Sequence, residues 1–96
     1  MKFDSLKELH VWNVLCARQA DGEISNLERQ VSYRFEVCGN LIRYLPSKRP
    51  LTYIADYRYV EDGKIVVADA KGLLTQEYKI KKALMFWVNG IEIKEF

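Results

Sequence analysis

The spacing of apolar residues changes along this chain, and each change predicts an element. Leu6, Leu9, Val11, Trp12, Val14, Leu15 and Cys16 recur at helical spacing, with Asp4 or Ser5 in front as a cap. "ADGEIS" at 20–25 ends that helix, because an Asp-Gly pair does not readily continue one. In "ERQVSYRFEVCG" the period falls to two: Val31, Tyr33, Phe35 and Val37 alternate with Ser32, Arg34 and Glu36, a half-buried strand. "YLPSKRP" at 44–50 reads as a loop. "LTYIADYRYV" at 51–60 is a second strand, "EDGK" at 61–64 a hairpin turn, and "IVVADAK" at 65–71 the returning strand. Thr75 then caps a second helix, with Gln76 and Glu77 in its first turn and Tyr78, Ile80, Leu84 and Met85 as its apolar stripe. "NG" at 89–90 stops it, and "IEIKEF" is a last alternating strand. The order αβββαβ predicts an α/β fold: a mixed sheet with helices packed on it.

Composition narrows this picture. Ninety-six residues make one domain, and 49% apolar with 12% aromatic argues against disorder. A net charge of +2 permits nucleic-acid binding without arguing for it. Cys16 and Cys38 match no metal or redox spacing and read as core thiols; His10 reads as a surface residue. No run approaches the roughly 18 apolar residues of a membrane span. The start "MKFDSLKELH" lacks the apolar core of a signal peptide, so a soluble intracellular protein is expected.

The strands carry charges where a strand should be apolar. Asp56 interrupts Ile54, Ala55 and Tyr57, and Asp69 and Lys71 share one face of the next strand. Charges in such strands are costly unless paired or metal-bound. Taken singly, each has a bland reading: a surface ion pair worth about 0 to 1 kcal/mol, or a strand end. Together, two aspartates on adjacent strands, a lysine two residues on and a glutamate on the preceding helix make a set with a chemistry. Acidic side chains joined by a backbone carbonyl form an oxygen-lined site for Mg²⁺ or Mn²⁺. Such an ion polarises a phosphate and helps turn water into hydroxide, while a nearby lysine orients the water or stabilises developing charge.

At this point the chain resembles the PD-(D/E)XK nuclease superfamily. "YIADY" followed by "VVADAKG" places Asp56, Asp69 and Lys71 in its three motif positions. "FDSLKE", "ISNLERQVSYRFEV", "YIADYRYVEDGK", "VVADAKG" and "TQEYKIKKALMF" with "GIEIKE" resemble a family of small phage and prophage proteins, formerly of unknown function, assigned to that superfamily. The resemblance implies a restriction-endonuclease-like αβββαβ core and a metal-dependent DNA endonuclease, similar to Holliday-junction resolvases. It also implies Mg²⁺ or Mn²⁺ as cofactor, branched or junction DNA as substrate in phage replication or recombination, and a homodimer in the bacterial or phage-infected cytoplasm. By the same resemblance Asp56, Asp69, the carbonyl of Ala70 and Glu8 hold the metal, and Glu8, Asp56, Asp69 and Lys71 are the catalytic set. Gln30, Thr75 and Tyr78 support the site. The basic segment that precedes "FDS" in that family is missing from this sequence, so a DNA-gripping arm is expected to be either absent or cut from it.

Lys79 and Lys82 in "KIKK", and Lys48 and Arg49 in "SKRP", are either solvated surface or contacts to DNA phosphates. Tyr53, Tyr57 and Tyr59 alternate on one strand face and read as packing rather than base-stacking residues. The alternative function is a non-catalytic DNA-binding or assembly module that retains the nuclease fold, although a binding module needs no such set as Glu8, Asp56, Asp69 and Lys71. A third reading is a structural protein whose charges form only surface pairs.

Overall fold

A computed structural model of the chain describes residues 2–70 and 74–96. Helix α1 (Leu6–Ala20) starts at Ser5, whose hydroxyl accepts the Glu8 N–H at 3.1 Å, and ends at Asp21. It buries only Glu8, Val11 and Leu15. Leu6, Leu9 and Val14, placed on the stripe by spacing, are exposed. The first turn therefore faces a carboxylate inward where the apolar count predicted leucines.

Strand β1 (Ser25–Arg34) pairs antiparallel with β4 (Thr52–Glu61), and β4 pairs antiparallel with β5 (Lys64–Asp69). The β4–β5 turn is the predicted Asp-Gly hairpin, with φ of 53° at Asp62 and 75° at Gly63. Helix α2 (Gln76–Trp87) is capped by the Thr75 hydroxyl, which accepts the Tyr78 N–H at 3.1 Å. Gly90, at φ 69°, donates to the Phe86 carbonyl and Ile91 donates to Met85, closing the helix. Strand β6 (Lys94–Glu95) then returns parallel to β5, completing a four-stranded mixed sheet of order β1-β4-β5-β6. The expected α/β class with a mixed sheet flanked by helices is what the chain adopts.

Several boundaries differ from the sequence pattern. The alternation after Tyr33 does not continue as one strand. Phe35, fully buried, leaves β1, and β2 (Glu36–Val37) pairs with β3 (Asn40–Leu41) as a separate ribbon. The reversal at Cys38 and Gly39, both at positive φ, leaves Val37 49% exposed. Cys38 is therefore an exposed turn residue and not a core thiol; Cys16 is half-buried, and both are free. Ile80 is exposed, since α2 turns Tyr78 and Met85 inward. Of "IEIKEF" only Lys94 and Glu95 form a strand, although Ile93 is buried.

Two apolar clusters hold the layers. Val11, Leu15, Ile24, Tyr57, Tyr59, Ala68 and Ala70 pack beneath α1, with Trp12 stacked on Tyr57 at 6.4 Å. Phe35, Tyr53, Ala55, Val67, Tyr78, Met85 and Ile93 pack beneath α2. The tyrosines of β4 are packing residues, as expected, but they divide between the clusters: Tyr57 and Tyr59 in the one beneath α1, Tyr53 in the one beneath α2. Among the described residues no helix is long and apolar enough to cross a membrane.

Candidate functional site

The centre of the sheet is where the acidic residues meet. Ala55, Asp56 and Tyr57 are buried in succession on β4, as are Val67, Ala68 and Asp69 on β5. Both faces of the sheet are covered there. Asp56 lies in the middle of its strand and is 4% exposed; Asp69 ends β5 and is fully buried. The β4–β5 pairing runs from Glu61↔Lys64 to Tyr57↔Ala68. Beyond that pair the carboxylates take over. The Asp56 N–H donates to Asp69 Oδ1 at 2.9 Å, and the Ala70 N–H donates to Asp56 Oδ2 at 3.0 Å. Each aspartate thus accepts a main-chain N–H from the other's strand, and such charge-assisted bonds offset part of the cost of burial. The Asp69 carbonyl accepts from the Phe96 N–H at 2.9 Å, which ties β6 to the same point.

Glu8 stands on the inner side of α1, 4% exposed. Its carbonyl accepts from the Tyr57 hydroxyl at 2.6 Å, pinning the helix to β4. Its Oε1 lies 3.3 Å from Arg29 Nη2 and 3.3 Å from Gln30 Nε2. Consecutive side chains of a regular strand point to opposite faces. Gln30 has φ 54° within β1, and this local reversal lets both neighbours reach one carboxylate. Arg29 pairs with Tyr57 and Val31 with Ala55, so Gln30 lies across from Asp56.

Arg29 also donates to the Lys2 carbonyl at 2.8 Å and covers the Phe3 ring at 3.9 Å from its centroid. Sequence reasoning did not single it out, nor the hydroxyl of Tyr57. The available signal was the pair Arg29 and Gln30 side by side in a strand of otherwise alternating character.

Tyr78 is buried, and its hydroxyl donates to Glu95 Oε2 at 3.2 Å. Burial, followed by the charges of Asp69 and Glu95, pushes its ionisation well above the usual phenol range. Lys82 Nζ holds the other oxygen of Glu95 at 2.5 Å and so lowers that carboxyl. Thr75 acts as the helix cap. Lys79 is exposed on α2. Lys48 and Arg49 are exposed on the 44–50 loop, shaped by a bond from Arg43 to the Lys48 carbonyl at 2.9 Å. Lys71 lies outside the described residues.

Asp56, Asp69, Glu8 and Gln30 are therefore brought to one region, and the lysines are spread along α2 and the loop. Among the described residues no group of three or more His, Cys, Asp or Glu is gathered to hold a metal ion. Glu8 engages Arg29 and Gln30. Asp56 and Asp69 are the two carboxylates that meet at the end of the β4–β5 ladder. These are hard oxygen donors of the kind Mg²⁺ accepts while keeping several waters.

No curated protein and no solved structure matches this chain. One family model matches residues 1–94, nearly the full length. The chain belongs to the family described as "Protein of unknown function (DUF1064)".

Proposed function

We propose that this protein is a metal-dependent DNA endonuclease with a restriction-endonuclease-like core. The observation that carries the reading is the pair of buried carboxylates, Asp56 and Asp69, on neighbouring strands at the centre of the sheet. Taking carboxylates out of water requires bonds that offset their desolvation, and a buried acidic pair held in this way is a functional-site candidate. The resemblance of "YIADY" and "VVADAKG" to the nuclease motif supplies the chemistry.

In this reading Asp56, Asp69 and the Ala70 carbonyl would hold Mg²⁺ or Mn²⁺. When bound, the ion supplies Lewis-acid polarisation of the phosphate and neutralises charge on the leaving oxygen. Glu8, fixed by Arg29 and Gln30, accepts a hydrogen bond from the attacking water. Lys71 orients that water or stabilises charge on the phosphoryl oxygens. The water oxygen forms a bond to phosphorus, one bond from phosphorus to a sugar oxygen breaks, and the water's proton ends on that leaving oxygen.

The test is incubation with branched, nicked and linear DNA in Mg²⁺ or Mn²⁺, with Lys71→Ala in parallel. Cleavage by the native protein and its loss in the variant is the expected result. If neither protein cleaves yet both bind DNA, a non-catalytic binding module takes the place of the nuclease.

A further inference from the structure

Helix α2 turns Tyr78 and Met85 inward and leaves a second apolar face outside. At its C-terminal end Phe86 is 47% and Trp87 80% exposed, their rings edge to face with centroids 4.9 Å apart. Both line a surface cavity of ~410 Å³ together with Lys79, Lys82, Ala83 and Glu92. A tryptophan this open to water is unusual for a packing residue, and the cavity beside it is large enough for a flat ring and its substituent.

We propose that this groove binds an unpaired nucleotide, its base stacked on Trp87 and its phosphate against Lys79. The proposal deepens the nuclease reading and rests on it for the nature of the polymer. It names a substrate class: DNA with a single-stranded or splayed segment.

Three observations favour this occupant. Lys79 has no ion-pair partner among the described residues, so its charge is open to a phosphate. One exposed aromatic beside a cation is the minimal platform for a single-stranded nucleic acid, whereas lysine is depleted in protein–protein interfaces. Lys82, on the groove wall, bonds Glu95, which pairs in register with Asp69, so the groove and the acidic residues are joined through β6.

The experiment uses the full chain in EDTA, titrated with an oligothymidylate of about ten nucleotides, near the site size of a small single-strand binder. The chain has two tryptophans. Trp12 is half-buried against Tyr57, so quenching of emission reports Trp87. We expect the oligonucleotide to quench the native protein and the same sequence in a duplex to leave it unchanged. Trp87→Ala should bind about tenfold more weakly, the loss of one stacked base, and Trp87→Phe should retain most of the affinity. Equal binding by Trp87→Ala, or no quenching of the native protein, overturns the proposal. A native dimer that Trp87→Ala converts to monomer, without any response to oligonucleotide, overturns it in favour of a contact between two copies. The two readings fail separately. Quenching without cleavage in Mg²⁺ sinks the nuclease alone, and cleavage without quenching sinks the groove alone.

Discussion

Replacing Asp69 by asparagine and by alanine separates what this residue does for the fold from what it is proposed to do for catalysis. Asp69 Oδ1 accepts the buried Asp56 N–H at 2.9 Å, at the point where the β4–β5 ladder stops. Asparagine keeps a side-chain oxygen there and removes the charge. Alanine removes the acceptor and leaves a buried N–H without it, a loss of about 1–3 kcal/mol. A domain of this length shifts by about 4–8 °C per kcal/mol, so Asp69→Ala should melt ~5–20 °C below the native protein. Asp69→Asn should stay within a few degrees, because it keeps an acceptor for that N–H. Thermal melts followed by circular dichroism read both values. Repeated in Mn²⁺ at a hundredfold excess over Kd, the native protein should gain about 2.7 kcal/mol, and both variants should gain nothing. An asparagine variant as unstable as the alanine variant would refute the hydrogen-bond argument. A metal-dependent shift that survives in Asp69→Asn would put the ion elsewhere.

Three further outcomes follow from the same contacts. Tyr57→Phe removes the hydroxyl bond to the Glu8 carbonyl while keeping the ring against Trp12 and Phe96, so denaturant melts should show a loss of about 1 kcal/mol; an unchanged midpoint would mean the bond does no stabilising. The Lys82 bond lowers the Glu95 carboxyl, so its stabilisation is present above the unfolded value of about 4.3 and is lost as pH falls. Native protein and Lys82→Met should therefore differ in melting temperature at neutral pH and converge below about pH 4, and a constant gap would exclude the ion pair as its source. Tyr33, Tyr57, Tyr59 and Tyr78 are all pushed up, first by burial, so the stability they contribute is intact below about pH 10 and lost as pH rises past it. Phenolate absorbance should rise together with loss of the fold, and ordinary titration of these groups in an intact fold would contradict their burial.

The elements visible in the sequence were those fixed by local chemistry. Ser5 and Thr75 cap their helices, Asp62 and Gly63 make the hairpin, and Gly90 closes α2, because each needs only its immediate neighbours. The pairing of Asp56 with Asp69 was legible for a related reason: a short hairpin sets the register between its two strands. Long-range packing was not legible. Phe35 leaves β1 to join the cluster beneath α2, and nothing in the alternation of 31–37 marks that exit. Nor does the sequence announce Gln30 at φ 54°, a conformation that side chains other than glycine rarely adopt. Without that reversal Arg29 and Gln30 would face apart, which is why the carboxylate of Glu8 was foreseen but its holders were only half seen.

Together these contacts form a polar row across every layer of the protein. Glu8 on α1 meets Arg29 and Gln30 on β1; Gln30 lies across from Asp56 on β4; Asp56 and Asp69 exchange backbone bonds; Asp69 pairs with Glu95 on β6, which Tyr78 and Lys82 of α2 engage. At its α2 end the row is partly wet, with Lys82 and Glu95 each about one-third exposed, and surface pairs of that kind contribute little. Glu8, Asp56 and Asp69 are dry. There, well-packed apolar residues of similar volume are commonly as stabilising as buried charges or more so. A domain with two small apolar clusters has little stability in reserve, so three carboxylates at its centre are poorly explained as scaffolding. The backbone bonds that hold them fix their positions, which is the condition an oxygen-ligand site on rigid strands requires.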